Sequence, residues 1–194
     1  MLGAMTDYAE LARLIENLIR IGTIADVDPV EARVRVQTGD LLTGWLPWQA
    51  ARAGADREWD PPTVDEQVVL LSPSGQLANG VAITGLFSDV KPANGDRAKL
   101  HRRTYSDGAV IEYDSQAHHL RAQLPGGGTT ELISDGGVRI VGDITLEGDL
   151  IQTGNQQVTG NVQVSIDVVA AGISLVQHVH GGVQRGGSNT DAPR

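Results

Sequence analysis

The chain of 194 residues is long enough for one or two domains, and it combines 40% hydrophobic residues with only 4% aromatic residues and 24 glycines. It contains no cysteine, which excludes disulfides, cysteine-ligated zinc and thiol catalysis. The formal net charge of -9 argues against a general nucleic-acid-binding protein. The sequence has neither a signal-peptide pattern nor an apolar run approaching the roughly 20 residues of a membrane-spanning helix.

The first periodic segment, residues 7–21, is predicted to form an amphipathic helix. Asp7 is a suitable N-cap, Glu10 completes a capping box three residues later, and Gly22 is a suitable end. A helix of about 15 residues is marginal alone, so its apolar stripe is expected to pack on its own domain or on a neighbouring subunit. The stripe follows the i, i+3, i+4, i+7 spacing of one helix face and consists of Leu11, Leu14, Ile15 and Leu18.

Residues 22–96 are predicted to form a compact all-β domain. Short apolar runs are separated by turn signals such as Asp28-Pro29 and Ser72-Pro73-Ser74-Gly75. About five short strands at this spacing are typical of a small barrel of the OB type. The predicted strands cover residues 22–28, 32–36, 43–48, 66–71 and 80–87.

Three tryptophans in this domain raise an alternative, because OB folds bind single strands by stacking bases on aromatic side chains in a basic groove. Residues 20–96 carry 6 Lys and Arg against 11 Asp and Glu, a net charge of -5, which is the wrong sign for such a groove. Trp45, Trp48 and Trp59 are therefore expected to be core or subunit contacts, and no nucleic-acid partner is predicted.

Residues 97–134 alternate β-like runs with turns, and a sharp break follows at Pro125-Gly126-Gly127-Gly128. His118 and His119 are adjacent, so on a strand they would face opposite ways and could not share one site. We interpret these two histidines as surface or inter-chain residues.

Glycine then recurs every six residues between 135 and 180. The glycines stand at 136, 142, 148, 154, 160 and 172, one beat is missed at Ile166, and Asp or Asn directly follows four of them. Such a repeat predicts a β-solenoid or an intertwined β-prism with Gly-Asx at the corners. Ten of the twelve side chains two and four residues after each beat are apolar: Val138, Ile140, Ile144, Leu146, Leu150, Gln152, Gln156, Val158, Val162, Val164, Val168 and Ala170.

Two architectures share this repeat. In the left-handed hexapeptide β-helix of acyltransferases each chain coils on itself, and an aliphatic residue is preferred directly before the repeat position. Val141 fits that preference, but Glu147, Thr153 and Thr159 do not. In a triple-stranded β-helix three chains wind around one axis, and each chain supplies one face of the core. The scarcity of aromatic residues and the short apolar runs favour the triple-stranded form.

The repeat ends in two histidines, because the beat after Gly172 falls on His178. On a strand, His178 and His180 would point to the same face, away from Val179. One pair makes a poor metal site, but three pairs around a threefold axis supply six nitrogens, enough to enclose one octahedral ion and leave no open position. Because no position is open to a substrate, such a site would be structural. Imidazole suits iron, nickel, copper and zinc as the ion. The alternative is two solvated histidines near a frayed terminus.

This order of segments resembles the baseplate assembly protein V family, the central spikes of contractile phage tails and of related phage-tail-like bacteriocins. The resemblance covers nearly the whole chain. It implies an N-terminal helix at 1–21, an OB-fold domain at 22–96, an intertwined triple-stranded β-helix at 97–175, and a metal-binding apex with a fold-back tip at 176–194.

The resemblance is carried by a few short motifs. They are RVRV at 33–36, TGWLPW at 43–48, EQV at 66–68 with SPSG at 72–75, and above all GISLVQHVHGGV at 172–183. The closing segment departs from the family pattern at Asp191, where glycine is expected, but this position lies beyond both histidines.

The resemblance implies a mostly β homotrimer with a structural role. Such a spike belongs to the virion, at the tip of the tail baseplate, and is assembled in the host cytoplasm. It would contact tail tube and baseplate hub proteins and would pierce the host outer membrane when the sheath contracts. One iron ion per trimer would be held octahedrally by six nitrogens, from His178 and His180 of three chains. Calcium or chloride ions along the axis are further candidates.

A tail-associated saccharide hydrolase is a further alternative, since some phage spikes carry such domains. The chain has no inserted domain, and the acidic residues of the repeat, Asp143 and Asp149, stand at Gly-Asx corners, where a structural role is expected. We therefore predict a protein that is not an enzyme and has no catalytic residues.

Overall fold

The computed structural model describes residues 2–182 and residue 186, with side chains from Asp7 onward within the first helix. The described part is mostly β with one short helix, as predicted. It also contains two short 3₁₀ turns, Pro73–Gly75 and Leu77–Asn79. The elements in chain order are α1 (Leu2–Asn17), β1 (Ile19–Asp28), β2 (Arg33–Thr38), β3 (Leu41–Leu42), β4 (Gln67–Leu71), β5 (Val81–Leu86), β6 (Leu100–Thr104), β7 (Val110–Asp114), β8 (His119–Gln123), β9 (Val169–Ala170) and β10 (Ile173–Ser174).

The chain divides into two units, Met1–Ile133 and Ser134–Arg194. The predicted domain limits at residues 21, 96 and 175 stay a prediction, as do the triple-stranded β-helix and the trimer. None of the helices in the part of the chain that the structure describes has the length and apolar character that crossing a bilayer requires.

The first helix differs from its prediction at both ends. It extends N-terminally beyond Asp7, which is therefore not its N-cap, and it ends at Asn17, before the predicted end at residue 21. Residues 19–23 instead pair with β4, from Ile19 opposite Leu71 to Thr23 opposite Gln67. A strand ladder fixed by distant residues overrides the local helical period here. The predicted stripe is largely uncovered in the single chain, since only its Leu14 is half-buried.

Five strands form one antiparallel sheet in the order β3-β2-β1-β4-β5. The predicted strand at 43–48 is wrong as a continuous strand, because the structure pairs only two of its residues. Leu46 bridges to Val34 on β2, and Trp48 bridges to Ala82 on β5. The bridging segment thus joins two strands that are not neighbours in the sheet and closes it into a small barrel. Closure of this kind removes exposed sheet edges.

The core of the barrel is aliphatic. Alternate residues of the strands point inward, so the charged residues Arg33 and Arg35 lie outside while Val34 and Val36 lie inside. Trp48 and Leu77 pack against this core from its margin. The buried set is Ile24, Val34, Val36, Leu46, Val68, Leu70 and Ala82.

Helix α1 is anchored to the barrel where its backbone meets Gly75. Gly75 is buried and has φ +70°, and a Cβ at this position would lie 2.2 Å from the carbonyl oxygen of Leu14. We expect Gly75→Ala to destabilise the protein by roughly 1–3 kcal/mol more than Gly39→Ala, because both positions have positive φ but only Gly75 meets backbone. Urea unfolding of the two variants measures this difference. An equal loss of unfolding free energy in both variants would show that helix α1 can move away from position 75 without destabilising the protein.

Strands β6, β7 and β8 form a separate three-stranded antiparallel sheet within the first unit. Arg102, Glu112 and Arg121 stand directly opposite one another on its three strands. Arg102 pairs with Glu112 at 2.8 Å, and Arg121 lies 3.9 Å from the same carboxylate. The central carboxylate therefore links all three strands on one face.

The turn after β7 is organised by the Asp114 carboxylate. It accepts hydrogen bonds from the backbone N–H groups of Gln116 and Ala117, and Arg97 contacts it at 2.7 Å. The hydrogen bond from Arg97, followed by those from the two backbone groups, lowers the pKa of Asp114 to about 2. The carboxylate is thus held in its charged form well below its ordinary pKa of about 3.9.

This depressed pKa predicts an acid-sensitive contribution to stability. A carboxylate whose pKa is lower when folded stabilises the fold above the unfolded pKa, and that contribution is lost as the pH falls through the folded pKa. We expect Asp114→Asn to be destabilising at pH 5 and the difference from the wild type to vanish as the pH falls from about 4 to about 2. Thermal unfolding across this range is the measurement. Asp89→Asn, at an exposed loop position, is the control and is expected to leave the profile unchanged.

The second unit has a different character from residue 134 to residue 168. Among the described residues, no backbone group between 138 and 167 forms a hydrogen bond with another backbone group. Glycines 142, 148 and 154 of the six-residue repeat have the positive φ predicted for corners, whereas Gly136 and Gly160 do not. The nine large apolar side chains at the predicted inward positions are between 40% and 69% exposed in the single chain.

Candidate metal centre near the C-terminus

A tight hairpin precedes the two histidines. Strands β9 and β10 pair Ala170 with Ile173 and Val169 with Ser174, which leaves a two-residue turn. Both turn residues, Ala171 and Gly172, have positive φ, at 49° and 82°. This is the conformation of a type I′ turn, which matches the twist of a β-hairpin. Gly172 therefore lies in a turn that reverses the chain. The six-residue repeat had instead predicted one more corner at Gly172, followed by a strand that continues to the histidines.

Side chains of the hairpin satisfy the backbone of the segment that follows it. Asp167 Oδ1 accepts hydrogen bonds from the backbone N–H of Val168 at 2.8 Å and of Val176 at 3.3 Å. Ser174 Oγ accepts from the backbone N–H of Val176 at 3.2 Å and of Gln177 at 2.9 Å. A hydrogen bond from the Ser174 side chain is the main cause that lowers the pKa of Asp167. Residues 175–177 consequently form a turn, and the strand predicted for the histidines is wrong.

The same hairpin orients His178. The carbonyl oxygen of Ser174 accepts a hydrogen bond from the backbone N–H of His178 at 3.1 Å and lies 2.9 Å from its Nδ1. A carbonyl can only accept, so Nδ1 carries the proton and a neutral His178 ring has its free lone pair on Nε2. Histidines that bind metals are commonly held in this way, with the other ring nitrogen donating to a backbone carbonyl.

The structure brings the two predicted ligands together. The ring centroids of His178 and His180 are 5.1 Å apart, and the rings are nearly perpendicular at 79°. Both side chains are exposed. In residues 2–182 and 186, no three His, Cys, Asp or Glu side chains lie close enough to hold a metal ion. One chain therefore offers an imidazole pair, and a complete coordination sphere needs ligands from elsewhere.

The other residues singled out in the sequence lie far from this pair along the chain and within the first unit. Trp48 packs on the barrel core and on Trp59, with ring centroids 5.7 Å apart. Trp45 is half-exposed, with the Arg35 guanidinium 5.9 Å from its ring centroid. His118 and His119 lie at the turn into β8 and are exposed.

Sequence reasoning missed Asp167 and Ser174, the two residues that shape the turn. The available signal was local: short Asp and Ser side chains beside a Gly turn often accept hydrogen bonds from nearby backbone N–H groups. The predicted metal-binding apex with its fold-back tip spans 176–194, and its residues 183–185 and 187–194 lie outside the described residues.

Two segments of the chain match known families. Residues 20–87 match the family described as the type VI secretion system/phage-baseplate injector OB domain, so the barrel is similar to these OB domains. Residues 172–194, which include both histidines, match the GpV apex motif.

A relative with a known role matches more of the chain. The spike protein of Escherichia phage P2 is 38% identical over 119 residues, which cover 61% of this chain and 56% of that protein. The chain thus matches a little over half of the length of this relative. Together with the two family matches, this confirms the resemblance to phage baseplate spikes that the sequence predicted.

Proposed function

We propose that this chain is the structural spike at the tip of a contractile tail, built as a homotrimer that pierces the host outer membrane. The injector OB domain, the apex motif and the similarity to the P2 spike protein support this function. The observation that carries it is the state of residues 138–167: in the part of the chain that the structure describes, their backbone groups form no hydrogen bonds with other backbone groups, and their apolar side chains are largely exposed.

Such a segment is unstable as a single chain in water. Each exposed apolar side chain gains free energy on burial, about 1.5–3 kcal/mol for a Val, Leu or Ile. Extended backbone gains its ladder hydrogen bonds only from another strand, and even an isolated two-stranded hairpin is marginal. Other chains can supply both the apolar contacts and the backbone hydrogen bonds. The apolar residues recur at fixed offsets from each glycine, so every repeat offers the same face to its partners.

Three copies around one axis satisfy this pattern. Each chain contributes one apolar face to a shared interior and one strand edge to each neighbour, as in an intertwined β-prism. A hexapeptide solenoid of the acyltransferase type would instead pair successive coils of the same chain. The lack of backbone pairing between residues 138 and 167 of the described chain argues against that alternative.

The threefold arrangement also completes the metal centre. His178 and His180 from three chains supply six imidazole nitrogens for one octahedral ion, which we assign as iron. The described geometry fits such a role, because both rings lie together and the His178 Nδ1 is already occupied by a carbonyl. The ion would join three C-terminal segments that would otherwise fray, so that metal binding energy becomes assembly energy.

The consequence for function is mechanical. A rigid tip with all backbone groups paired resists unfolding under load, and a metal-linked apex prevents the chain ends from separating. The OB domains would face the tail tube and baseplate hub proteins, and the prism would point toward the host membrane. The protein would therefore be a component of the virion and act once, without catalysis.

Native mass spectrometry of the purified protein tests this proposal. We expect a mass of three chains plus one iron ion. A metal-free trimer would retain the prism and remove the metal centre from the proposal. A monomer at micromolar concentration would overturn the spike function altogether.

A further inference from the structure

We propose that Asp167 and Ser174 are positioning residues for the metal ligand His178, and that they orient its ring through the hairpin before the ion binds. This inference rests on the proposed metal-linked trimer, and it concerns residues of a single chain.

The first step of the argument is the clamp formed by Asp167. Its Oδ1 atom accepts hydrogen bonds from the backbone N–H groups of Val168 and Val176, at 2.8 and 3.3 Å. Val168 stands immediately before β9, and Val176 stands two residues after the end of β10. One carboxylate oxygen therefore ties together the two ends of the hairpin. Hydrogen bonds from N–H groups to an ionised acceptor are stronger than those between neutral groups.

The second step is the turn built on Ser174. Its Oγ accepts from the N–H groups of Val176 and Gln177, at 3.2 and 2.9 Å. One hydroxyl thus forces the chain to turn directly after β10. Without it, the N–H of Gln177 would lose its hydrogen-bond partner and the N–H of Val176 would keep only its 3.3 Å contact with Asp167, so the path of residues 176–177 would be less well defined.

The third step is the ring itself. The turn brings His178 back over its own hairpin, so that the Ser174 carbonyl accepts from both the backbone N–H and Nδ1 of His178. This double contact sets the tautomer and limits rotation about the side-chain bonds. It leaves Nε2 as the nitrogen available to an ion. The orientation is thus held by Asp167 and Ser174, neither of which would touch the metal.

Pre-orientation of a ligand raises metal affinity, because less side-chain freedom is lost on binding. Removal of a group that orients a metal-binding histidine commonly lowers affinity by about 10- to 100-fold. In the trimer every substitution occurs three times around one ion, so we expect a loss of affinity within this range.

The test measures Ni²⁺ affinity of metal-free trimers by competition with a chelator, and it records the ligand-field absorption of the bound Ni²⁺. The test variants are Asp167→Ala and Ser174→Ala. Their matched controls are Asp135→Ala and Ser165→Ala, which remove the same groups from exposed positions of the same unit. Ser174→Thr keeps a hydroxyl and serves as the conservative variant.

We expect about 10- to 100-fold weaker Ni²⁺ binding and a shifted absorption band for Asp167→Ala and Ser174→Ala. The controls and Ser174→Thr should match the wild type. Affinity and spectrum equal to the controls would overturn the inference while the spike function stands. If Asp167→Ala or Ser174→Ala failed to form a trimer even in excess Ni²⁺, the residue would have a purely structural role and the inference would also be overturned. Asp167→Asn keeps an acceptor oxygen and therefore tests whether the trimer needs only that hydrogen bond. Absence of metal from the wild-type trimer would remove the metal centre itself.

Discussion

The double substitution His178→Ala/His180→Ala is expected to abolish metal binding by the trimer and to lower its stability. In the proposed trimer six ligand nitrogens would disappear, and no cluster of three or more ligand side chains is found among the described residues. A ligand at a free concentration 1,000-fold above its Kd stabilises the state that binds it by about 4 kcal/mol, so a loss of this order is expected when the site is removed. Native mass spectrometry and thermal unfolding with and without added iron measure the two effects.

The matched control for this experiment is His101→Ala/His119→Ala. It removes the same number of imidazoles from exposed positions of β6 and β8 in the first unit. The control is expected to keep one metal ion per trimer and its stabilisation by iron. Retention of metal by the His178/His180 variant, or an equal loss in the control, would contradict the assignment of these ligands.

The substitution Ile144→Asp is expected to abolish the trimer. Ile144 belongs to the apolar face of the repeat and is 67% exposed in the single chain, so a carboxylate there costs little before assembly. In a prism the same position faces the axis in all three chains. Three carboxylates would then be brought together away from water, and burial of each ion costs several kcal/mol without a compensating partner. Sedimentation analysis at micromolar concentration should find a monomer.

The neighbouring substitution Thr145→Asp is the control for position 144. It adds the same charge one residue along an extended chain, where the side chain points to the opposite face. We expect this variant to remain a trimer with unchanged metal content. Equal assembly of both variants would mean that the even-numbered residues do not face a shared core, and the intertwined prism would have to be abandoned.

Local pattern predicted the elements that depend on neighbours in sequence. The alternation of Arg33, Val34, Arg35 and Val36 placed β2 with the correct inward face, because strand periodicity is a property of consecutive residues. The Gly-Asx repeat likewise predicted corners with positive φ, which three of its four glycines adopt. The helix was recognised but misplaced by several residues at each end, because pairing of Ile19–Thr23 with β4 depends on residues about 50 positions away.

The candidate metal centre was likewise predicted only in part from the sequence. The His-x-His spacing alone indicated a pair of ligands, and the structure places the two rings 5.1 Å apart. The expected reason, a continuing strand, was wrong. A hairpin at Ala171 and Gly172 and the turn after Ser174 bring the rings together instead, through hydrogen bonds that no periodicity encodes.

The sequence by itself therefore determined which residues are apolar, where the chain can turn and which side chains can bind metal. Only the tertiary structure decided where α1 ends, how Leu46 and Trp48 close the barrel, and that the Ser174 carbonyl holds Nδ1 of His178. The physical reason is the range of the interactions. Side-chain chemistry and backbone preference are local, whereas strand pairing and barrel closure depend on which distant backbone groups meet. The orientation of His178 is local in sequence, yet it depends on a three-dimensional turn that spacing alone does not define.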